Sequence, residues 1–581
     1  MGIDFVTILN ESNSDINKET GEILITSPII ESNEILIIKT PCKIYSNCNT
    51  HIKCKHLIVE SSGVFLENIF FETTLEFVFS DDLQISNCNL EKEQTDKDGA
   101  ILIKKSKNVQ INNLIISKVQ NASGIFITEK SSVIADNISI EVTDSSLIKC
   151  NEESSLKITN SKFDHSNCNG IFAENSTIEV EKCSFTNMIF PAICAHNCNC
   201  SIKNNEIRNI EENGITIVKT KKNSDGSNIN FVNIIKNNIF SDIQGSGISI
   251  WDESVITIDE NSISNIQGNG IYISNHSKVT GSKNEIYDCK HPAIAILLKS
   301  DATLENFKIS NINYSGICVR DAGKVTIENF EIKNCNDSGI SVSDTDECII
   351  KGSSILNCNI AAVEAYNQSK VSVNNCNISE IKEYSFLVYT SAELKAEENN
   401  ISEIGKAMVR LIHKGGGDFI KNKIFNCPIQ NDGQTSSQYF FFQNGEFSSV
   451  TNDESRKTDL ISFDEVYDDT NLLCFKCHQN PRDYFLLNCG HKVYCQTCAQ
   501  EALQNHEKCP LCRMPVSNIS EGYEITDGIC GVCRDEKPKC LVIPCGHIGY
   551  CKECMMQWFL ERQSCPFCHK EPVTFKNIQH F

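Results

Sequence analysis

Residues 247–269 read GISIWDESVITIDENSISNIQGN, and residues 270–292 repeat the same layout as GIYISNHSKVTGSKNEIYDCKHP. The pair Gly-Ile opens both copies and returns at Gly316-Ile317 and Gly339-Ile340, always after 23 residues or a multiple of 23. Small residues continue this phase toward the N-terminus at intervals of 22 to 24 residues, apart from one interval of 33. A fixed period of this size predicts a solenoid over residues 23–445.

Apolar residues form columns within this repeat, at relative positions 1, 4, 9 and 11. The four columns are Ile263, Ile286, Ile309, Ile332, Ile355 and Ile378; Ile266, Cys289, Ile312, Cys335, Cys358 and Ile381; Ile271, Ile294, Ile317, Ile340, Val363 and Phe386; and Ile273, Ile296, Val319, Val342, Ala365 and Val388. An earlier column holds Ile258, Leu304, Ile327, Ile350 and Val373, with Gly281 as its exception. Short β-branched pairs between Asn, Ser, Asp and Gly predict half-buried strands.

Two solenoid classes suit the period. Leucine-rich repeats run 20–29 residues, but they place apolar residues, mostly Leu, at positions 1, 4 and 6. The columns found here, mostly Ile, resemble instead the right-handed parallel β-helix of the pectin-lyase-like fold. That resemblance implies a mainly β chain with three short strands in each coil.

The cysteines of the repeat domain can be interpreted in two ways. Cys289, Cys335 and Cys358 share a column with isoleucines, so we expect them to face the core as small apolar residues. The cluster Cys194, Cys198 and Cys200 leaves a metal site in the repeat domain as an alternative.

A second repeat lies near the C-terminus, where cysteine and histidine occur in pairs. The first set is Cys474, Cys477, Cys489, His491, Cys495, Cys498, Cys509 and Cys512; adding 56 to each number gives Cys530, Cys533, Cys545, His547, Cys551, Cys554, Cys565 and Cys568. Thiolates and imidazole are the ligands of tetrahedral zinc, and eight of them supply two closed sites in each copy. Closed sites leave no position for a reactive water, so we predict four structural Zn²⁺ ions, two in each module.

This ligand pattern resembles the RING finger family, in the form with three Cys, one His and four Cys. The resemblance implies that the pairs interleave: Cys474, Cys477, Cys495 and Cys498 hold one zinc, and Cys489, His491, Cys509 and Cys512 the other. The same interleaving implies the sets Cys530, Cys533, Cys551, Cys554 and Cys545, His547, Cys565, Cys568 in the second module. RING fingers are ubiquitin ligases that orient a ubiquitin-conjugating enzyme and form no covalent ubiquitin intermediate, so no residue of this chain is expected to be catalytic in the strict sense.

The two modules match the family's docking surface for the conjugating enzyme to different degrees. Val532, Trp558, Pro566 and Phe567 of the second module match the apolar groove that holds the conjugating enzyme. The first module has Lys476 and Ala502 at the places of Val532 and Trp558. It keeps the family's linchpin arginine as Arg513, whereas the second module has His569 there. The resemblance therefore implies docking by the second module and support, dimerisation or activation by the first.

Charge and composition limit the kinds of further partner and the cellular compartment that we expect. The 581-residue chain carries a formal charge of −22 and has a pI near 5.1, which argues against nucleic acid and anionic membranes. We see neither a secretion signal nor an apolar run of membrane-spanning length, and 32 cysteines fit a reducing compartment. We therefore expect a cytoplasmic or nuclear protein.

The sequence thus divides into an N-terminal segment (1–22), a β-helix domain (23–445), an acidic linker (446–473), a first α+β zinc module (474–516), a second linker (517–529) and a second zinc module with its tail (530–581). We predict that the β-helix binds a protein substrate and the modules recruit the conjugating enzyme and ubiquitin. The tail at 569–581 resembles segments through which some family members dimerise.

Two alternatives remain at this stage. One is a zinc-containing scaffold without ligase activity. The other is a β-helix that acts on glycans, for which Asp252 with Glu253, and Asp344 with Asp346 and Glu347, are the best paired acids.

Overall fold

The structure is a computed structural model, and it describes part of the chain. The described residues are 3–5, 15–17, 21–92, 98–221, 232–412, 415–425, 438–440 and 445–446, followed in the zinc region by 474, 476–477, 480–481, 483–486, 491–509, 516–520, 523–524, 540–543, 547–550 and 574–577. The chain forms two compact units, Met1–Asp453 and Glu454–Phe581. No helix among the described residues is both long and apolar enough to cross a membrane.

The first unit is a parallel β-solenoid of about 17 turns, as the repeat predicts. Its strands stack in three ladders, one strand of each turn in each ladder. Ladder one comprises β1 Ile3–Asp4, β5 Ile35–Ile38, β7 His56–Val59, β9 Thr74–Val78, β11 Gly99–Lys104, β13 Ser123–Thr128, β15 Ile148–Cys150, β18 Ile171–Glu174, β21 Ile193–Lys203, β23 Ile215–Thr220, β26 Ile248–Trp251, β29 Ile271–Ile273, β32 Ile294–Leu297, β35 Ile317–Arg320, β38 Ile340–Ser343, β41 Ala361–Tyr366, β44 Tyr384–Tyr389 and β47 Ala407–Ile412.

Ladder two follows ladder one within each turn. It comprises β3 Glu22–Ile25, β6 Cys42–Lys53, β8 Val64–Phe71, β10 Gln84–Glu91, β12 Val109–Ser117, β14 Ser132–Thr143, β16 Ser155–Thr159, β19 Thr177–Glu181, the second half of β21, β24 Ile234–Lys236, β27 Val255–Asp259, β30 Lys278–Ser282, β33 Asp301–Glu305, β36 Lys324–Glu328, β39 Glu347–Lys351, β42 Lys370–Asn374, β45 Glu393–Glu397 and β48 Gly416–Ile420. The long strands β6, β8, β10, β12 and β14 continue into ladder three.

Ladder three completes each turn. Its remaining strands are β4 Ile29–Glu31, β17 Lys162–Ser166, β20 Ser184–Met188, β22 Glu206–Ile210, β25 Ile239–Ile243, β28 Ser262–Ile266, β31 Glu285–Cys289, β34 Lys308–Ile312, β37 Glu331–Cys335, β40 Ser354–Cys358, β43 Asn377–Ile381, β46 Asn400–Ile404 and β49 Lys423–Phe425. Antiparallel strands pair at both ends: β2 Asp15–Asn17 with β3, β50 Gln438–Phe440 with β47, and β51 Gly445–Glu446 with β49.

The predicted columns are the solenoid core. Ile263 pairs with Ile286 and Ile266 with Cys289, and both pairings repeat along ladder three with the side chains buried. Two inward residues three positions apart need a kink, because strand side chains alternate with a period of two. Asn265 supplies it with a φ of 51°, a left-handed conformation that asparagine adopts more readily than most residues.

Asparagine also occupies a position of the repeat that lies inside the core. The expectation that asparagine marks turns does not predict this position. Asn205, Asn238, Asn261 and Asn284 are buried on successive turns. Each of the first three donates its backbone N–H and its Nδ2 to the Oδ1 of the next, at 2.9 Å. Because every buried amide in this ladder has partners, it adds rigidity instead of a desolvation penalty.

The zinc region contains two small sheets and one helix among its described residues. The three-stranded sheet has the order β53 His491–Tyr494, β52 Tyr484–Leu486, β54 Ile519–Ser520, and α1 spans Gln496–Gln504. The four-stranded sheet has the order β55 Tyr523–Glu524, β57 His547–Tyr550, β56 Cys540–Ile543, β58 Thr574–Asn577.

Candidate metal centre

Four cysteines of the first module come together although they lie in two separate pairs. Cys474 and Cys477 precede β52, whereas Cys495 directly follows β53 and Cys498 lies in the first turn of α1. The β52–β53 hairpin reverses the chain, so its end returns to the first pair. The Sγ atoms of all four cysteines lie within 4.8 Å of one another.

The geometry of this group suits a tetrahedral ion. Cys477 Sγ and Cys495 Sγ are 3.8 Å apart, and two sulfurs bound at about 2.3 Å to tetrahedral zinc are separated by about 3.8 Å. The backbone N–H of Lys476 donates to Cys474 Sγ at 3.4 Å, and the Cys474 N–H donates to the carbonyl of Asn480 at 2.7 Å. These bonds fix the turn that presents the first pair.

The electrostatics of the group also favour a cation. Burial, together with hydrogen bonds among the neighbouring thiols, holds the pKa of Cys498 well above its usual range. Four adjacent thiolates repel one another unless a positive ion compensates them, and thiolate is the form that binds metal. The four thiols therefore fit a structural zinc, which would fasten the hairpin to the helix when bound.

The remaining predicted ligands are described only in part. Cys509 is buried in the core of the first module, with Val493, Ala499 and Val516, and His491 begins β53. In the second module His547 begins β57. The other predicted residues lie outside the described ones: Cys489, Cys512, Arg513, Cys530, Val532, Cys533, Cys545, Cys551, Cys554, Trp558, Cys565, Pro566, Phe567 and Cys568.

The duplication seen in the ligands extends to the backbone. Tyr484 pairs with Tyr494 in the first module, and Cys540 pairs with Tyr550 in the second, 56 residues later at both positions. Both hairpins have an irregularity directly after that pair. The third strands repeat the same offset, since Leu486 pairs with Ile519 and Val542 with Phe575. The C-terminal tail therefore supplies, through β58, a strand of its own module.

Lys476 shows what the first module presents where the family has an apolar docking residue. Its Nζ lies 2.8 Å from Glu507 Oε1 and 3.2 Å from Glu501 Oε2. The hydrogen bond with Glu507 raises the pKa of Lys476 and lowers that of Glu507. Ala502, at the place of the aromatic residue, is buried. The described part of this surface thus carries an ion-paired charge cluster.

The candidate acids and the extra cysteine cluster of the solenoid are engaged in other contacts. Glu347 pairs with Lys324 at 2.7 Å, and Asp346 Oδ1 lies 3.8 Å from Lys299 Nζ. Asp344 accepts hydrogen bonds from Ser343 and Asn367. Among the side chains that the structure describes, Cys194, Cys198 and Cys200 do not form a group of converging ligand atoms.

A parallel β-solenoid in one unit and four converging thiols of a hairpin–helix segment in the other define a β-solenoid protein with a zinc-finger module. Residues 72–197, 192–306 and 292–447 match the family described as "Right handed beta helix region", over more than half of the chain. Residues 470–519 and 526–574 match "Zinc finger, C3HC4 type (RING finger)". The chain belongs to the right-handed β-helix family and carries two C-terminal RING fingers, as the repeat and the ligand spacing predicted.

Similar proteins match mainly in short segments. The chain is 33% identical over 61 residues to E3 ubiquitin-protein ligase APD2 of Arabidopsis thaliana, which is 10% of this chain and 14% of that protein. It is 43% identical over 42 residues to the human E3 ubiquitin-protein ligase RNFT1, 7% of this chain and 9% of that protein. The chain thus spans less than a fifth of the length of either relative.

Among solved structures, the A-module of the Azotobacter vinelandii mannuronan C-5 epimerase AlgE6 aligns with 60% of this chain and 91% of its own length. The identity is 12% and the TM-score 0.35, so this likeness carries no argument about function.

Proposed function

We propose that this chain is a RING-type ubiquitin ligase that transfers ubiquitin directly from a conjugating enzyme to a lysine of a protein substrate. The observation that carries the proposal is the converging group Cys474, Cys477, Cys495 and Cys498 inside a duplicated module that matches RING fingers. The similar segments of curated E3 ubiquitin-protein ligases support it. Four zinc ions, two in each module, complete the proposal.

The modules have a positioning role in this mechanism. Zinc holds each module folded, and the module holds the conjugating enzyme with its ubiquitin thioester accessible to the substrate amine. The amine attacks the thioester carbonyl, the thiol of the conjugating enzyme leaves, and an amide bond forms. Orientation of two reactants lowers the barrier through entropy already lost on binding, so the ligase needs no nucleophile of its own.

The two modules have different parts in the proposal. Val532, Trp558, Pro566 and Phe567 of the second module form the groove for the conjugating enzyme, and tryptophan is a typical hot-spot residue of protein interfaces. The ion pairs of Lys476 support this assignment, because an apolar loop docking there would have to desolvate them. Arg513 of the first module bridges ubiquitin and the conjugating enzyme, a task suited to its forked guanidinium.

The β-helix presents the substrate in this proposal, and residues 569–581 add a dimer contact. We place the protein in the cytoplasm or nucleus. The 32 cysteines of the chain support this placement, because a reducing compartment keeps thiols available as zinc ligands and core residues.

Single-turnover discharge of a ubiquitin-loaded conjugating enzyme tests the ligase function. Acceleration by the purified full chain, lost in Trp558→Ala and retained in the first-module variant Lys476→Ala, which changes an exposed side chain, is the expected result. Loss only with Lys476→Ala would reverse the roles of the modules. A chain with full zinc content and no acceleration would be a scaffold, and turnover of a polysaccharide would favour the glycan alternative.

A further inference from the structure

A cleft lies on the outer face of ladder one and crosses neighbouring turns of the solenoid. It encloses about 390 Å³, and its lining includes Phe190, Cys194, Glu212, Trp251 and Asp252. These residues come from three successive turns of the solenoid, because β21, β23 and β26 are neighbours in ladder one. The floor comes from outward-facing strand residues, whereas Phe190 and Glu212 precede the strands and Trp251 ends one.

The aromatic wall is exposed and held in place. Phe190 and Trp251 are 41% and 37% exposed, so both rings are accessible to a ligand. The Nε1–H of Trp251 donates to Ser249 Oγ at 2.6 Å, and the indole contacts the Tyr272 ring at a centroid distance of 4.9 Å. An indole fixed in this way loses little conformational entropy when a ligand binds.

The acidic side of the cleft is formed by the carboxylates of Glu212 and Asp252. Among the described residues no side chain makes an ion pair or a hydrogen bond with the carboxylate of Glu212. Partial burial raises its pKa, since desolvation disfavours the charged form. Asp252 adds a second carboxylate, which accepts a hydrogen bond from Asn275.

The floor does not supply a nucleophile. Cys194 Sγ lies 3.4 Å from His196 Nε2, an arrangement that could suggest an activated thiol. Burial, and then the charge of Glu212, raise the pKa of Cys194 to about 12, so the thiol is neutral at physiological pH. The cleft is therefore suited to binding and not to covalent chemistry.

We propose that this cleft binds a lysine or arginine side chain of an extended protein segment, between the face of Trp251 and the carboxylate of Glu212. A cation satisfies both features at once, through cation–π attraction and through ion pairing with a partly desolvated acid. A neutral sugar would stack on the indole but leave the charge of Glu212 uncompensated. The proposal rests on the proposed function in one respect, that the β-helix is the substrate-binding part of the ligase.

Tryptophan fluorescence can observe the cleft directly. The chain has two tryptophans, so full-length Trp558→Phe leaves Trp251 as the only one. We expect a synthetic peptide of alternating arginine and glycine to change its emission saturably, and the matching glutamate–glycine peptide to leave it unchanged. Calorimetry compares the wild-type chain with single variants that keep Trp558. We expect Glu212→Gln and Trp251→Ala each to weaken binding of the basic peptide by roughly three- to thirty-fold relative to wild type.

Matched variants separate the cleft from general acidity. Glu211→Gln removes the same charge one residue away, and Tyr287→Ala removes an exposed aromatic residue of ladder three; neither lines the cleft, so both should bind the peptide normally. Equal weakening in all four variants would overturn the proposal in favour of nonspecific charge. Binding of maltohexaose or oligomannuronate, sensitive to Trp251→Ala, without peptide binding would overturn it in favour of a glycan.

The peptide assay needs neither ubiquitin nor a conjugating enzyme. No peptide binding by a chain that discharges the conjugating enzyme would overturn the cleft proposal alone. Cleft-dependent peptide binding by a chain without discharge would support the cleft and refute the ligase function.

Discussion

Cys477 and Cys495 are 18 residues apart in the chain, yet their Sγ atoms lie 3.8 Å apart. The intervening residues include the β52–β53 hairpin, so the distance depends on correct strand pairing and not on the short Cys-x-x-Cys turns. Metal binding and folding of this module are therefore expected to be coupled.

Loss of one of these thiols should remove one zinc ion and unfold the first module. We expect Cys495→Ser to lower the zinc content of the purified chain by about one equivalent, or about two if the second site of the module is also lost. The reason is that structural zinc supplies about 10–16 kcal/mol to such small units. Elemental analysis measures the content. The exposed solenoid cysteine provides the control as Cys48→Ser, and an unchanged zinc content in Cys495→Ser would contradict the metal assignment.

The solenoid should lose stability at alkaline pH. Burial raises the pKa of Cys150, Cys289 and Cys348 to about 12. Because the unfolded thiols ionise near pH 9 and the folded ones do not, the folded state binds more protons above that pH, and the free energy of unfolding falls as pH rises from about 9 to 12. Each such cysteine contributes a slope of about 1.4 kcal/mol per pH unit.

Urea titrations followed by circular dichroism between pH 8 and 11 measure this slope. Above pH 9, Cys289→Ala should reduce the slope by about one proton, whereas Cys48→Ala should not, because hydrogen bonds from Ser46 and Thr50 lower the pKa of Cys48 and its thiol is already ionised there in both states. A slope that is the same in both variants would show that Cys289 is not a buried neutral thiol.

The buried asparagine ladder should be needed for stability. Asn261→Ala removes the acceptor of Asn238 and leaves the carbonyl of Ile235 without its side-chain donor. Unsatisfied buried groups cost about 1–3 kcal/mol each, so we expect a loss of about 2–5 kcal/mol in the free energy of unfolding. Asn336→Ala is the matched control, since that side chain is exposed and makes one 3.4 Å hydrogen bond. Equal effects in chemical denaturation would refute the ladder.

Which module docks the conjugating enzyme can be tested by exchanging the residues at one equivalent position of the two modules. Val532→Lys places in the second module the residue that the first has as Lys476, and it should slow discharge of the conjugating enzyme by at least about tenfold. The reciprocal Lys476→Val should not slow discharge, because it removes two ion pairs from an exposed site, each worth less than about 1 kcal/mol. Slowing by Lys476→Val alone would assign docking to the first module.

Much of the fold could be predicted from the sequence because the solenoid is periodic. Equivalent positions of successive turns have the same surroundings, so Ile263, Ile286 and Ile309 are all buried. The resemblance to RING fingers, which rests on the duplicated ligand pattern, similarly predicts the converging cysteines of the first module. The positions of asparagine could be predicted only in part. The preference of asparagine for turns explains Asn265, whereas nothing in the apolar columns of the repeat indicates that Asn261 lies in the core.

The sequence by itself determined the repeat, its inward columns and the pairing of cysteines and histidines, since local spacing and side-chain chemistry encode these. Only the tertiary structure decided relationships between turns. Gly281 interrupts a column of apolar residues because a Cβ there would lie 2.6 Å from the carbonyl oxygen of Ile258 and 3.2 Å from the Phe307 ring. Trp251 and Glu212 likewise line one cleft only because β23 and β26 stack as neighbours in ladder one, and relationships of that kind depend on three-dimensional register, which no single repeat contains.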